Sequence, residues 1–236
     1  MRRIIVLHPS HHVYLDGCAI SNASTIETPL GPLKTCEETR EALLSGPGNF
    51  TLTNRQVDED EHSGEMQYPF IRHCIDLASK IGTSSINDIK VLPIMIGSIS
   101  PSREREYAGY LSSLLLSADT FFVISSDFCH WGRRFEYNPY DKSKGEICDY
   151  IEWLDRLGME KISMQDPGAF AEYLRTYKNT ICGRHPIGVL LNCLDVVKRE
   201  EGRVFGVTFE KYEQSERVKR GNGSSVSYAS GVVDGV

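Results

Sequence analysis

The sequence predicts an α/β protein in which a central mixed sheet carries helices on both faces. Continuous apolar runs, such as residues 4–7 and 121–124, are typical of strands that are buried on both sides. Amphipathic segments with helical periodicity, such as residues 102–116, lie between these runs. Strands that alternate with helices along the chain are the pattern of the α/β class.

The predicted elements follow one another without an internal repeat or a linker. Strands are predicted over 2–7, 50–57, 89–96, 121–124, 203–212 and 224–233, and helices over 36–44, 66–81, 102–116, 146–157, 167–177 and 187–198. The helix at 167 begins with Asp166 as a cap and Pro167 in the first helical position. We therefore predict a single domain over residues 1–236. Because a domain seldom opens on its central strand, we expect a further portion of the fold before residue 1.

Composition excludes several classes of protein. Hydrophobic residues make up 40% of the 236 residues, which is enough for a packed core and argues against disorder. The net charge of −6 argues against non-specific nucleic-acid binding. No apolar run has the length of a membrane span, and residues 4–7 are too few for a signal-peptide core. We expect a cytoplasmic protein, with the nucleus as an alternative, in which the seven scattered cysteines are free and mostly buried.

Residues that can bind metals or transfer protons collect at the ends of predicted strands and helices. The four clusters are His8/His11/His12, His62/Glu65, Asp127/Cys129/His130 and Cys182/Arg184/His185. They contain six of the seven histidines of the chain. Because ligand crevices of α/β proteins form at the carboxyl ends of strands, we expect these clusters to line one crevice.

The chemistry of the clusters has more than one interpretation. Histidine, aspartate and cysteine together could bind iron, copper or zinc. A Cys–His nucleophile pair oriented by an aspartate is a second possibility. Structural explanations also stay open: Asp127 as a cap, His130 packed beside Trp131, and Cys182 as a buried thiol. Arg184 and His185 lie at the start of a predicted helix, a position that favours anions.

Five blocks of the sequence resemble the Memo family, the mediators of ErbB2-driven cell motility. The blocks are PSHH at 9–12, DEDEHSGEM at 58–66, SSDFCHWG at 125–132, NTICGRHPIGVLLN at 179–192 and SSVSYASG at 224–231. They occur in the order of the family and extend from the beginning of the chain to its C-terminal part. The resemblance implies a class III (LigB-like) non-haem dioxygenase-like architecture.

The resemblance also implies a function. It implies a cytosolic protein linked to cell motility and cytoskeletal signalling, with a dioxygenase-like His/Asp/Cys pocket that binds a peptide or a redox metal. The partner would be a phosphotyrosine-containing peptide or a cytoskeletal signalling protein. The alternative is a copper- or iron-dependent redox enzyme of the oxidase or dioxygenase type.

The family's site residues carry over onto matching positions of this chain. His11, His130 and Cys182 are the implied metal ligands, and His62 and Asp127 are the implied catalytic residues. Arg184 and His185 are the expected peptide or anion contacts.

The chain departs from the family pattern in two places. The family has a preceding Ala-Pro-His-Ala-Gly segment, whose histidine is a metal ligand, and this sequence has no equivalent. The family usually has glycine before PSHH, where this chain has His8. We therefore expect an incomplete copper or iron site that retains His11 and Cys182. His8 could replace the lost ligand only if its side chain reaches the pocket.

Overall fold

The computed structural model describes residues 1–80 and 89–235, and their contacts divide the chain into two compact units, Met1–Ser125 and Ser126–Val236. The first unit contains a five-stranded mixed sheet, and the second contains a three-stranded antiparallel sheet. The single domain over 1–236 stays a prediction.

The sheet of the first unit confirms the predicted central mixed sheet. Its strands, in spatial order, are β5 (Thr51–Leu52), β2 (Cys18–Ile20), β6 (Lys90–Ile96), β1 (Arg3–Pro9) and β7 (Thr120–Ile124). β1 is parallel to both β6 and β7, whereas β2 is antiparallel to β6 and parallel to β5. The central strands are buried on both faces, as their continuous apolar runs predict. A small hairpin pairs β3 (Thr25–Ile26) with β4 (Leu33–Lys34).

The described part of the first unit, residues 1–80 and 89–125, contains five α-helices. They are α1 (Glu37–Ser45), α2 (Arg55–Asp60), α3 (His62–Glu65), α4 (Tyr68–Lys80) and α5 (Pro101–Leu116). Buried side chains of α4, including Ile71 and Ile75, pack against Ile4 and Val6 of β1. The predicted helix over 66–81 is therefore α4, although residue 81 lies outside the described residues.

The predicted strand over 50–57 is wrong in its second half. β5 ends at Leu52, and α2 begins three residues later. The Asn54 side chain caps α2 by accepting the backbone N–H of Val57 at 2.9 Å. A capped first turn satisfies a donor that a strand would have to pair elsewhere, and this stabilises the helix.

The second unit combines helices with antiparallel strands. Its main elements are β8 (His130–Gly132), α6 (Ile147–Ser163), α7 (Pro167–Tyr177), α8 (Arg184–Glu201), β9 (Phe205–Gln214) and β10 (Ser224–Gly235), and two short 3-10 helices cover Arg133–Phe135 and Lys142–Lys144. The strand order is β8-β10-β9, and α6 packs against α7 and β9. α8 starts three residues before the predicted residue 187, because Pro186 fits within the first turn of a helix.

Candidate functional site

The end of β1, beside β7 in the sheet, holds the histidine cluster of the first unit. The two strands run in parallel with Leu7 opposite Ile124, and the Ser125 N–H donates to the Leu7 carbonyl at 2.9 Å. The chain leaves β1 after Pro9, where the Ser10 N–H still donates to the Ile96 carbonyl at 3.2 Å. The histidines that follow are thereby held at the carboxyl edge of the sheet, as the sequence predicts.

Glu61 anchors His11 with both of its carboxylate oxygens. Oε2 accepts the His11 backbone N–H at 2.6 Å, and Oε1 lies 2.8 Å from His11 Nδ1. Oε1 also accepts the Ser63 N–H at 3.0 Å, and the side chain is 1% exposed. Burial alone would raise the pKa of Glu61, but the hydrogen bonds from His11 and Ser63 outweigh it and hold the pKa well below its usual range. Glu61 is therefore a buried carboxylate at neutral pH.

His62 lies on the outer side of the same carboxylate. Its ring stacks on the His11 ring with centroids 4.7 Å apart, and its Nδ1 is 3.7 Å from Glu61 Oε1. His12 meets His62 edge-on at 5.8 Å. Metal-ligating atoms of His11, Glu61 and His62 all lie within 4.8 Å of one another. The structure thus brings His11 and His62 together.

The acidic partner of His62 differs from the predicted one. Glu65, expected beside His62 because of its spacing, is exposed at the end of α3. Glu61 takes that place, and sequence reasoning missed it because it lies within a run of acids that is typical of a solvated surface. Its position directly before His62 was the signal that could have identified it.

His8 is a buried, neutral histidine. Ser63 Oγ donates to the Pro9 carbonyl at 2.8 Å, so we assign the His8 Nδ1–H as the donor to Ser63 Oγ at 2.9 Å. His8 is 3% exposed, and burial lowers its pKa to about 4. Its Nε2 faces Gly64, where an added Cβ would lie 3.2 Å away. The packing therefore holds His8 between β1 and α3.

The neutral state of His8 predicts a pH dependence of stability. The pKa falls from 6.5 to about 4 on folding, so between these values the unfolded state binds more protons than the folded state. Stability should therefore rise by about 3 kcal/mol as pH increases from 4 to 6.5 through this group. Urea unfolding across this range should show that His8→Asn removes that slope relative to the unchanged chain. His73→Asn, at an exposed position of α4, should leave it unchanged. An unaltered slope in His8→Asn would contradict the assignment.

In the second unit, hydrogen bonds from backbone N–H groups join residues 126–127 to residues 182–183. The Cys182 N–H donates to the Asp127 carbonyl at 3.3 Å, and the Asp127 N–H donates to Cys182 Sγ at 3.1 Å. The Gly183 N–H donates to Ser126 Oγ at 3.1 Å. These contacts place the half-buried Cys182 thiol beside Asp127.

The hydrogen bonds of His130 define which of its two ring nitrogens carries the proton. Nδ1 lies 3.0 Å from the Phe128 carbonyl and 3.1 Å from the Thr180 carbonyl, and only an N–H can bond to either. Nε2 therefore carries the lone pair of the neutral ring, and it lies 3.9 Å from Asp127 Oδ2. Thr180 also accepts the His130 backbone N–H through Oγ1 at 2.7 Å. Sequence reasoning gave no signal for this role of Thr180.

The remaining predicted residues of this unit have different surroundings. Cys129 is fully buried, and burial together with nearby Asp155 raises the pKa of its thiol above the usual range. Cys129 is therefore unsuited to act as a thiolate. Arg184 is exposed at the first position of α8, and His185 after it is half-buried. Of the seven cysteines, five are buried, in agreement with the prediction, while Cys182 is half-buried and Cys74 is exposed.

The predicted site residues thus form a group in each unit. His11 and His62 meet in the first, and Asp127, His130 and Cys182 meet in the second, followed by Arg184 and His185 at the start of α8. Among the described residues, no helix combines the length and apolar character that crossing a membrane requires.

Comparison with known proteins identifies the family. The family model described as "Memo-like protein" matches residues 1–232. Protein MEMO1 of Homo sapiens is 42% identical over 232 residues, covering 98% of this chain and 75% of that protein. Protein MEMO1 of Danio rerio is 43% identical over the same length. The memo-1 homolog of Caenorhabditis elegans is 39% identical over 234 residues, which cover 99% of this chain and 64% of the worm protein. The chain therefore belongs to the Memo family.

Proposed function

We propose that this protein is a cytosolic Memo-family binding protein linked to cell motility and cytoskeletal signalling, with the nucleus as a second location. The observation that carries the proposal is the family match over residues 1–232. In this proposal, the fold is of the class III (LigB-like) dioxygenase type, and its polar residues bind a partner peptide. Asp127, His130 and Cys182 contribute to the pocket, and the peptide carries phosphotyrosine.

Arg184 and His185 supply the anion contacts in this proposal. Arg184 is exposed at the first position of α8, an 18-residue helix whose preceding N-cap residue, Gly183, provides no side-chain cap. The N-terminal N–H groups of a helix favour negative charge, and a guanidinium can bind two phosphate oxygens at once. A phosphorylated side chain at this position would therefore receive both kinds of contact.

Replacing Arg184 should weaken phosphopeptide binding. A charge-assisted hydrogen bond contributes about 1.5–3 kcal/mol, so Arg184→Ala should raise Kd for a phosphotyrosine peptide roughly 10- to 100-fold. Fluorescence anisotropy with a labelled peptide measures this change. Arg175→Ala is the matched control, because Arg175 is an exposed arginine of the same unit that pairs with Glu172 at 2.6 Å. Equal affinity of the two variants, or undetectable binding by the unchanged chain, would contradict the peptide proposal.

A copper- or iron-dependent redox enzyme is the second candidate. His130 favours it, because carbonyls that hold Nδ1–H and leave Nε2 available are typical of metal-binding histidines. Nitrogen and sulfur donors such as His130 and Cys182 suit copper and iron. The proposed set is His11, His130 and Cys182, with Asp127 and His62 as the groups that accept or donate protons.

Metal analysis tests this second candidate. When bound, copper or iron would supply the electron transfer, while the residues of the chain bind and orient the reactants. The full chain, purified without chelator, should contain copper or iron near one equivalent if this candidate is correct. Metal content far below one equivalent, unchanged by His130→Ala, would contradict it.

A further inference from the structure

We propose that His11, Glu61 and His62 form a site for a first-row divalent cation within the first unit, built from nitrogen and oxygen ligands alone. The site uses neither His130 nor Cys182. It shares only His11 with the metal set of the proposed function, so the two proposals can fail separately.

Two of the three separations among these side chains are close to those found around one cation, and the third, between the two histidines, lies within 4.8 Å. Glu61 Oε1 lies 2.8 Å from His11 Nδ1 and 3.7 Å from His62 Nδ1. Ligands at about 2.0–2.1 Å from a cation are separated by about 2.9–3.4 Å in octahedral or tetrahedral geometry. The two observed separations bracket this range. A small rotation of the exposed His62 ring would bring its nitrogen to the required distance.

The Glu61 carboxylate is held in position by backbone hydrogen bonds, so it needs no rearrangement to bind a cation. Glu61 is 1% exposed, and the backbone N–H groups of His11 and Ser63 fix its two oxygens. Its charge has no lysine or arginine salt bridge among those found in the described residues. A bound cation would take the place of the proton between His11 Nδ1 and Glu61 Oε1. The neutral His11 ring would then carry its proton on Nε2, and a protonated ring would release its second proton to solvent.

The position of His62 gives a cation access from solvent. Its side chain is 60% exposed, and that of His11 is 30% exposed. Two imidazoles and one carboxylate leave coordination positions open for water, the pattern found in non-haem Fe(II) sites. The absence of a thiolate from the set favours Fe²⁺, Co²⁺ or Zn²⁺ over Cu⁺.

Cobalt binding to the full chain tests this inference, because Co²⁺ reports its ligands by absorption. A Co²⁺ complex that includes a cysteine thiolate shows a near-ultraviolet charge-transfer band, and a complex of nitrogen and oxygen ligands does not. We expect visible Co²⁺ bands without the thiolate band. His62→Ala and Glu61→Gln should each weaken binding at least tenfold, whereas Cys182→Ser and His73→Ala should not change it. Since His62 is exposed, His62→Ala should fold even if Glu61→Gln does not.

Three outcomes would overturn the inference. The first is a thiolate band that disappears in Cys182→Ser, which would instead support the metal set that contains Cys182. The second is unchanged binding in His62→Ala. The third is no Co²⁺ binding, a result that leaves the phosphopeptide measurement with Arg184→Ala as an independent test of the proposed function.

Discussion

Gly97→Ala should destabilise the first unit by about 4 kcal/mol or more, the range reserved for severe steric or cavity defects. A Cβ on Gly97 would lie 1.9 Å from the Leu15 carbonyl oxygen and 2.6 Å from its carbon, both backbone atoms. Two hydrogen bonds hold this contact: the Gly97 N–H donates to Gly17 O and the Ser98 N–H to Leu15 O, each at 2.9 Å. The clash therefore cannot be relieved by a side-chain rotation.

Urea unfolding with Gly109→Ala as the matched control measures the effect. An added Cβ at Gly109, in the middle of α5, meets nothing within 4 Å. This substitution should stabilise the protein by about 0.5–1 kcal/mol, because alanine is favoured over glycine inside helices. A Gly97→Ala variant as stable as the unchanged chain would contradict the close approach of the Leu15 backbone to Gly97.

Asp155→Ala should destabilise the second unit by about 3–5 kcal/mol. Asp155 is fully buried and accepts hydrogen bonds from the Cys129 N–H at 3.2 Å, Asn179 Nδ2 at 2.9 Å and the Tyr212 hydroxyl at 2.9 Å. Burial raises the pKa of Asp155 to about 6, against the effect of these donors. Removing the carboxylate leaves the buried Cys129 N–H, the buried Asn179 amide and the half-buried Tyr212 hydroxyl without this acceptor.

Asp195→Ala is the control for this measurement. Asp195 lies on α8 and pairs with Arg199 at 3.0 Å, and the side chains of Arg199 and Asp195 are 58% and 39% exposed. An exposed pair contributes less than about 1 kcal/mol, so the control should unfold at nearly the same urea concentration as the unchanged chain. If Asp155→Ala did the same, Asp155 would not be the buried anchor of the segment that carries Asp127 and His130.

Helices and strands were predicted correctly where a single local pattern, such as a capping residue or a continuous apolar run, determines the structure. The helix over 167–177 was predicted with correct bounds because Asp166 caps it and Pro167 opens it. The strands of the central sheet were found because burial on both faces makes them continuously apolar. The signal failed over 50–57, where β-forming residues precede a capping asparagine that starts α2.

The candidate residues could be chosen from the sequence by their type, whereas their partners could not. The histidines and the cysteine at strand and helix ends were chosen because few structural roles explain so many such residues. Glu61 was missed, because a buried carboxylate and a solvated one look alike within an acidic run. The role of Thr180 depends on two segments 50 residues apart, and such pairing leaves no local pattern.

The most direct test of the proposed binding function is protection of Cys182 from alkylation. Cys182 and Cys74 are the two cysteines that solvent reaches, so Cys74 serves as an internal reference in the same sample. Mass spectrometry would follow the alkylation of both with a phosphotyrosine peptide, with its unphosphorylated form and without peptide. We predict that only the phosphorylated peptide slows the reaction at Cys182, while Cys74 reacts at one rate throughout. Equal rates at Cys182 in all three samples would contradict the account.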